Sequence, residues 1–423
     1  MSSRTETLTK LAAGFTRGGT LVETLLPVAA FCWGLSAFLP VGVVYLQVFL
    51  MLTLLLLCAD TRQRLLSFCH SSVAIPLASL LVWTLIAAMA GSWYPDTATR
   101  LFHTFRIALV MCMGLMLRPT EARWGLAGFL MGALLAALVV AAHHVWGLPK
   151  WSIWYSLLES RNNFSSGNMI SMAVACGVLV FLCVRIGATT SERLFALAAA
   201  TGLGLTVALH AASRNSILLL AVLLVAVLLF RFRSWLAVLA GLTAVLILVA
   251  AAWQFSPSTK ARFVEIASNF EAIKVQSNYS TSVGVRWRMY QEAVQGMVEH
   301  PVFGTGLGSW LPRWSQVWLS LDQQLPPEYQ KRFAEINNPH NDFLLAGMET
   351  GVIGMLLLVW LLARFIKVGW NQGSTAGGVT VVMGVALSVT ALVNAPFRDA
   401  ALGMTLVWLL AVSVAAHGKA GHA

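Results

Sequence analysis

Charged residues are scarce in this sequence. Lysine, arginine, aspartate and glutamate make up only 11% of its 423 residues, whereas 58% are hydrophobic, and the mean hydropathy is +0.75. A soluble domain needs far more charge than this to cover its surface, so the composition excludes a soluble fold. It predicts an all-α polytopic membrane protein.

Cysteine is missing from the long polar segment that begins near residue 254. The six cysteines lie instead in or beside apolar runs, where they are expected as small core residues. They are Cys32, Cys58, Cys69, Cys112, Cys176 and Cys183. No disulfide framework is therefore indicated.

About twelve apolar segments approach the roughly 20 residues that a helix needs to cross a bilayer. They lie near 21–39, 41–58, 72–91, 101–117, 124–146, 169–185, 194–212, 217–230, 235–253, 341–363, 376–394 and 401–416. We therefore predict nine helices over 1–253, a large loop domain over 254–339, and three helices over 340–423.

Basic residues of the short connections fall on alternate loops. They include Arg62, Arg64, Arg118, Arg123, Arg185, Arg193, Arg231, Arg233, Arg364 and Lys367. The positive-inside rule places these loops and both termini in the cytoplasm. The formal net charge of +11 is then mainly a topology signal, and no nucleic-acid partner is expected because the charges do not form one face.

The opposite side carries the long segment 254–339, and a connection of that length is usually functional. Helical periodicity runs over Arg286–Glu299, followed by a glycine-rich turn. Within Pro312–Leu321, Trp314 and Trp318 lie four apart, which is typical of an interfacial helix. A short charged helix is predicted after Pro326-Pro327.

The polar segment ends at a candidate general base, His340. Pro339 suits the first position of a helix and Asn337 or Asn338 can cap it, so we predict a helix with His340 in its first turn. There the helix dipole disfavours imidazolium and helps to hold an anion. The alternative is an interfacial histidine that only caps the helix.

Four arginines on this outer side are candidate anion ligands: Arg161, Arg214, Arg286 and Arg288. Arg161 and Arg214 lie where basic residues are disfavoured, which favours function, although an interface anchor is the alternative. Arg286 and Arg288 diverge on a helix, so one is expected to face the site, and pairing with Glu292 is the alternative role. Arginines without a carboxylate cluster suit a diphosphate, and neither a metal nor another cofactor is expected.

Buried charge and small residues add two structural expectations. Arg106 lies inside a span and needs a partner, for which Asp342 and Glu349 are candidates because they share one helix face. The spacing of Gly347 and Gly351, with Gly354 beyond them, predicts close approach of another helix.

Two motifs carry a resemblance to a known family. His340-Asn341, nine further residues and Gly351-Val-Ile-Gly354 resemble the signature of the bacterial O-antigen ligase and polymerase superfamily, which also includes O-linked oligosaccharyltransferases. The preceding segment is similar as well. It contains Arg286, Tyr290, Ala293, His300-Pro301, Gly304, Gly306 and Gly308.

The resemblance implies a glycosyltransferase of the GT-C type in the bacterial inner membrane, active on the periplasmic side without a metal or nucleotide sugar. Its ligase members move O-antigen from undecaprenyl diphosphate to a sugar hydroxyl of lipid A-core. By resemblance, His340 is the base and Arg214 and Arg286 hold the diphosphate. Arg161 is a weaker match, and Arg288 is included because the resemblance does not fix the register within Arg286-Trp287-Arg288. Direct attack by the acceptor would invert the anomeric centre.

Within the superfamily the ligase is the preferred interpretation. An O-antigen polymerase or an O-linked oligosaccharyltransferase would use the same donor chemistry with another acceptor. A transporter of an anionic lipid is the alternative from another class, but no inverted repeat supports it. The expected partners are the lipid-linked O-antigen, lipid A-core and membrane lipids.

Overall fold

The computed structural model describes residues 21–147, 158–160, 163–210, 214–255, 279, 281–320 and 327–417. Over these ranges the chain is almost wholly helical, which confirms the all-α prediction. One short antiparallel ribbon pairs β1 (Leu158–Ser160) with β2 (Asn163–Phe164).

Helices precede and follow that ribbon. Before it come α1 (Leu21–Ser36), α2 (Val41–Leu57), α3 (Thr61–Cys69), α4 (Ala74–Ala90), α5 (Thr97–Leu115) and α6 (Pro119–Trp146). After it come α7 (Ser166–Val184), α8 (Thr190–His210), α9 (Arg214–Phe232) and α10 (Trp235–Phe255). The polar segment forms α11 (Ser282–Glu299), α12 (Trp310–Ser320) and α13 (Pro327–Ala334). The last three are α14 (Asp342–Gln372), α15 (Thr375–Val393) and α16 (Ala401–Ala415).

Each of the twelve predicted spans coincides with one of these helices. By length and composition, seven described helices can cross a membrane, or eight if α2 and α3, bent by 107°, form one span. The helices α1, α4 and α16 are apolar but shorter. A multi-pass membrane protein is thus supported, whereas the total of twelve crossings stays a prediction.

The centre of the bundle is α16, whose residues 402–413 are all buried. A helix that is apolar on every side belongs in the interior of a bundle. Trp408 of this helix stacks on Trp33 of α1, with ring centroids 4.7 Å apart. The helices α5, α6 and α15 pack around it.

Three tryptophans of α12 form a ladder that holds the polar segment together. Trp310, Trp314 and Trp318 repeat every four residues and are fully buried. Their indole N–H groups donate to the carbonyls of Ile336 (2.9 Å), Phe333 (2.8 Å) and Gln330 (3.1 Å). The prediction of an interfacial helix was therefore wrong, because the aromatic face packs against α13 and not against lipid or sugar.

Candidate active site

The helix that carries the histidine motif begins later than the sequence predicts. The first residue of α14 is Asp342, and the capping residue is Asn341, whose Oδ1 accepts from the Leu344 amide at 3.0 Å. His340 precedes the cap and has a left-handed backbone with φ 54°. It therefore lies outside the first helical turn, because a positive φ cannot continue a right-handed helix.

Asparagine side chains fix the local shape around His340. The His340 amide donates to Asn338 Oδ1 at 2.9 Å, which closes a tight turn across Pro339. The imidazole is half-buried, and its Nδ1 lies 3.5 Å from Asn394 Oδ1, at the outer limit of a hydrogen bond. Asn394 directly follows α15, so the end of that helix faces the histidine loop.

The environment of His340 favours its neutral form. Burial lowers the pKa of the imidazole below its ordinary value, and the positive charge of Arg286 lowers it further. The contact with Asn394 acts in the opposite direction but does not reverse the shift. A neutral imidazole near pH 7 is able to accept a proton.

Arg286 and Arg288 diverge on α11, as their spacing predicts. Arg288 Nη2 lies 3.9 Å from Glu292 Oε2, one turn further along the same helix. Glu292 is buried and also pairs with Arg313 of α12. Arg286 is exposed and makes no ion pair with any residue that the structure describes, so of these two arginines Arg286 is the one whose guanidinium is available to a ligand near His340.

The other two arginines are placed less fully. Arg214 is the first residue of α9, and its neighbour Asn215 donates to the Val393 carbonyl at 3.2 Å, one residue before Asn394. The start of α9 therefore lies at the same end of the bundle as His340. Arg161 falls outside the described residues.

A buried ion cluster lies directly below the histidine loop. Glu349 of α14 is 1% exposed and accepts from Arg398 Nη2 at 2.7 Å. Its other oxygen lies 3.2 Å from Arg100 Nε, an ion pair without an aligned hydrogen bond. Arg100 Nη2 in turn donates to the Asn337 carbonyl at 2.6 Å, so the cluster reaches the chain just before His340.

The predicted partners of Arg106 were wrong. Its guanidinium donates to Tyr45 Oη at 2.9 Å and to the Asp399 carbonyl at 3.3 Å. Asp342 instead accepts from the Phe397 amide at 2.9 Å. Asp342 and Glu349 thus bind the 394–400 connection. The helices α15 and α16 place this connection closer to the two acids than Arg106 is.

Gly351 interrupts α14 in its third turn. Its φ of 76° and ψ of 174° are not helical, and a Cβ there would lie 1.9 Å from the Val302 carbonyl oxygen. The Val352 amide, freed by the break, donates to the Pro301 carbonyl at 2.9 Å, and the Met348 carbonyl accepts from the Thr305 amide at 2.7 Å. The expected close approach is confirmed at both positions. At Gly351 the partner is the turn 301–305, whereas at Gly347 it is a helix, since a Cβ there would lie 2.6 Å from Met297 Sδ of α11.

This contact joins the two motifs noted in the sequence. The His300-Pro301 turn with Gly304 fits into the break that Gly351 makes, whereas Gly306 and Gly308 lie against residues 92–97. Trp83 Nε1 of α4 donates to the Thr350 carbonyl at 2.8 Å. Gly354 lies one turn beyond the break, close to Thr350. The motif glycines therefore set the position of the first part of α14.

A cavity of about 90 Å³ lies beside the ion cluster, between α4, α5 and α14. Its walls are mostly apolar, and its polar lining includes His103, Asp342, Glu349 and Arg398. Two buried nitrogens there, His103 Nδ1 and Arg398 Nη1, have no partner among the described residues.

One group of side chains in the described ranges has the spacing of a metal site: Glu23, Cys58 and Asp60. It lies beside the end of α5 opposite to His340. The Asp60 carboxylate already accepts from Arg64 (2.7 Å) and Arg118 (2.8 Å). Two guanidinium groups therefore take the oxygens that a cation would need.

Sequence reasoning missed three residues of the site: Arg100, Arg398 and Asn394. The signal for the two arginines was present, since both lie in outer connections or at their ends, where the positive-inside rule disfavours basic residues. Asn394 had no comparable signal, because a polar residue after a helix is ordinary.

Residues 199–359 match the model of a protein family described as O-antigen ligase. This match confirms the resemblance to the O-antigen ligase superfamily, whose members are enzymes of the glycosyltransferase type. The matched range includes Arg214, Arg286, His340, Gly351 and Gly354, but not Arg161. No curated protein matches the chain.

Proposed function

We propose that this protein is an O-antigen ligase. It transfers a glycan from undecaprenyl diphosphate to a sugar hydroxyl of lipid A-core at the periplasmic face of the inner membrane. The observation that carries the proposal is the pairing, inside the family-matched segment, of an imidazole held neutral with an exposed arginine that has no partner among the described residues.

In this reaction His340 removes the proton of the acceptor hydroxyl. The hydroxyl oxygen attacks the anomeric carbon, a new glycosidic bond forms, and the bond from that carbon to the diphosphate oxygen breaks. The leaving diphosphate keeps the electron pair. If the Asn394 amide oxygen faces Nδ1, the proton of the neutral ring resides there and Nε2 is the free base.

Arg286 stabilises the negative charge that develops on the leaving diphosphate. A guanidinium donates two parallel hydrogen bonds to phosphate oxygens, and its charge remains at any working pH. Arg214 is proposed as a second ligand because α9 starts at the same end of the bundle. Arg161 stays a proposal from the resemblance, and Arg288 is less suited because Glu292 engages it.

The reaction proceeds without a metal and in one displacement step. Arginines then supply the electrostatic stabilisation that Mg²⁺ gives in other glycosyl transfers. A single in-line attack inverts the configuration at the anomeric carbon. Product stereochemistry tests this step, and retention would refute it.

The first experiment is reconstitution of the purified protein with lipid-linked O-antigen and lipid A-core in the presence of a chelator. Wild type should form long-chain lipopolysaccharide, and His340→Ala should form none. Arg332→Ala, an exposed residue of α13, is the matched control and should retain activity.

Three results would contradict the proposal. Consumption of the donor into longer lipid-linked chains would identify a polymerase, and transfer only to a protein would identify an oligosaccharyltransferase. Absence of any joined product in wild type would exclude glycosyl transfer as the function.

A further inference from the structure

Two chain segments meet at the imidazole of His340, and both are tied to one carboxylate. The first is the loop 336–341, which contains the histidine. The second is the connection 394–400, which contributes Asn394. Glu349 lies at the point where the ties to these segments converge.

The tie to the histidine loop passes through Arg100. Its Nε lies 3.2 Å from Glu349 Oε1, and its Nη2 donates to the Asn337 carbonyl at 2.6 Å. Arg100 and Glu349 are 4% and 1% exposed, so water does not compete for these contacts. The planar fork of the guanidinium lets one side chain contact both partners, which an ammonium group cannot reproduce.

The tie to the second segment passes through Arg398. Its Nη2 donates to Glu349 Oε2 at 2.7 Å, and the neighbouring Phe397 amide donates to Asp342 at 2.9 Å. Asn394 therefore sits in a connection that α14 fixes at two points. One oxygen of Glu349 therefore contacts the arginine that binds the histidine loop, and the other contacts the arginine of the connection that contains Asn394.

We propose that Glu349 is a positioning residue for the transfer reaction. Through Arg100 and Arg398 it holds the His340 loop and Asn394 at a fixed position relative to each other. The inference rests on the proposed function, because it assumes that His340 acts as the base. Glu349 itself touches neither substrate nor the reacting atoms. Its contribution is the orientation of the imidazole.

This role explains why the site tolerates a buried carboxylate between two guanidinium groups. A buried ion cluster stabilises a fold no better than apolar side chains of the same volume, so its value lies in the geometry that it specifies. His340 needs such support because its left-handed backbone is not favoured locally. Displacement of a catalytic group by about 1 Å lowers a rate on the order of 100-fold.

The test uses Glu349→Gln, which keeps the shape and removes the charge. We expect kcat to fall on the order of 100-fold while KM for the lipid-linked donor stays within about twofold of wild type. Hydrogen exchange of the peptide 336–344, measured by mass spectrometry on the full protein in nanodiscs, should be at least about tenfold faster than in wild type.

Arg100→Lys is the second variant, and it tests the same inference if Glu349→Gln folds poorly. It preserves the charge next to Glu349 but not the simultaneous contact with the Asn337 carbonyl. Exchange in 336–344 should again accelerate, and kcat should fall. Wild-type values in this variant would overturn the inference.

The matched control is Glu121→Gln. Glu121 is equally buried and pairs with Arg64 through two contacts of 2.7 and 2.8 Å, but at the opposite end of α5. This variant should lose thermal stability with kcat per folded molecule and exchange of 336–344 unchanged. An equal loss of kcat would mean that any buried ion pair has this effect, and the inference would fail.

The remaining outcomes separate the two proposals. Faster exchange with unchanged kcat in Glu349→Gln would refute the positioning role, and a rise in donor KM that accounts for the whole loss would make Glu349 a binding determinant instead. If wild type joins no glycan, the proposed function fails. The positioning role fails with it, even where the exchange data show that Glu349 anchors the loop.

Discussion

At the residue scale, the site depends on one histidine in an unusual backbone conformation. A left-handed residue other than glycine costs on the order of 1–3 kcal/mol and persists only where neighbouring contacts determine it. For His340 those contacts are the Asn338 turn on one side and the Asn341 cap on the other. The side chain is thereby aimed at Asn394 and not along α14.

The lowered pKa of His340 predicts the pH dependence of transfer. A general base acts in its neutral form, and a pKa below the ordinary value of about 6.5 keeps the imidazole neutral to lower pH. The acid limb of kcat/KM should therefore lie below pH 6.5. Arg286→Gln removes a positive charge that lowers this pKa, so the acid limb should move upward.

The measurement is the profile of kcat/KM between about pH 4.5 and 8, compared by its midpoint and not by its height. Arg288→Gln is the control. Arg288 is not among the groups that shift the pKa of His340, so the midpoint of the kcat/KM profile should be the same in this variant as in wild type. Identical midpoints for wild type and Arg286→Gln would show that the limb belongs to another group.

The two arginines of α11 should differ in their effect on turnover. Loss of a charged hydrogen bond costs about 1.5–3 kcal/mol, so Arg286→Ala should reduce kcat/KM by about 10- to 100-fold. Arg288→Ala should change kcat/KM less than about threefold, because its pair with Glu292 is partly exposed and Arg313 remains on that carboxylate. Steady-state kinetics with purified lipid-linked donor would check both, and equal losses would contradict the assignment.

At the element scale, the break in α14 decides how the motif segments fit. Gly351→Ala should destabilise the protein by about 3 kcal/mol or more, since it combines a disfavoured positive φ with a Cβ placed against the Val302 carbonyl. Thermal unfolding in detergent would report this as a lower Tm, together with loss of transfer.

Gly202→Ala is the control for that variant. Gly202 lies inside α8, and a Cβ there would meet nothing within 4 Å. Alanine is preferred to glycine in a helix by up to about 1 kcal/mol, so this change should leave stability equal or higher. A Gly351→Ala protein as stable as the Gly202→Ala protein would refute the structural role of the break.

The elements themselves were largely predictable from the sequence. Apolar runs, prolines and glycines are local signals, and they indicated the twelve long helices as well as the helices near 286–299, 312–321 and after Pro327. What failed depends on neighbours distant in sequence. Local caps could not reveal that Asn338 bends the chain at His340, and spacing could not distinguish tryptophans facing lipid from tryptophans facing α13.

The site was predictable to a similar degree. The motif residues His340 and Gly351 and the outer arginines were indicated, because polar groups at apolar boundaries are informative. The partners of Arg106 and the Glu349 cluster were not, since they depend on where the 394–400 connection lies in three dimensions.

At the scale of the whole molecule, buried ion pairs lie at both ends of the bundle. One end holds the buried pair of Arg64 and Glu121, and the other holds Glu349 with its two arginines. The helix α5 connects them, since Arg100 and Arg118 lie near its two ends. The positive-inside rule assigns the Arg64 end to the cytoplasm.

Cysteine labelling tests this orientation. In a variant without the native cysteines, Gln316→Cys, at an exposed position of α12, should react with a membrane-impermeant maleimide once the outer membrane is permeabilised. Arg62→Cys, exposed beside Arg64, should react only after the inner membrane is opened as well. The reverse pattern would place the histidine in the cytoplasm.

The interruption at Gly351 also bears on how the protein responds to bilayer thickness. The long part of α14 beyond Gly351 belongs to a helix that is long and apolar enough to cross the hydrocarbon layer, and such a helix adapts to bilayer thickness by changing its tilt. The short part before it is fastened to the 301–305 turn and to Trp83, and so does not have to follow that tilt. Under the proposed function, His340 should therefore keep its distance to the leaving diphosphate while acyl chain length changes, and transfer should depend little on bilayer thickness.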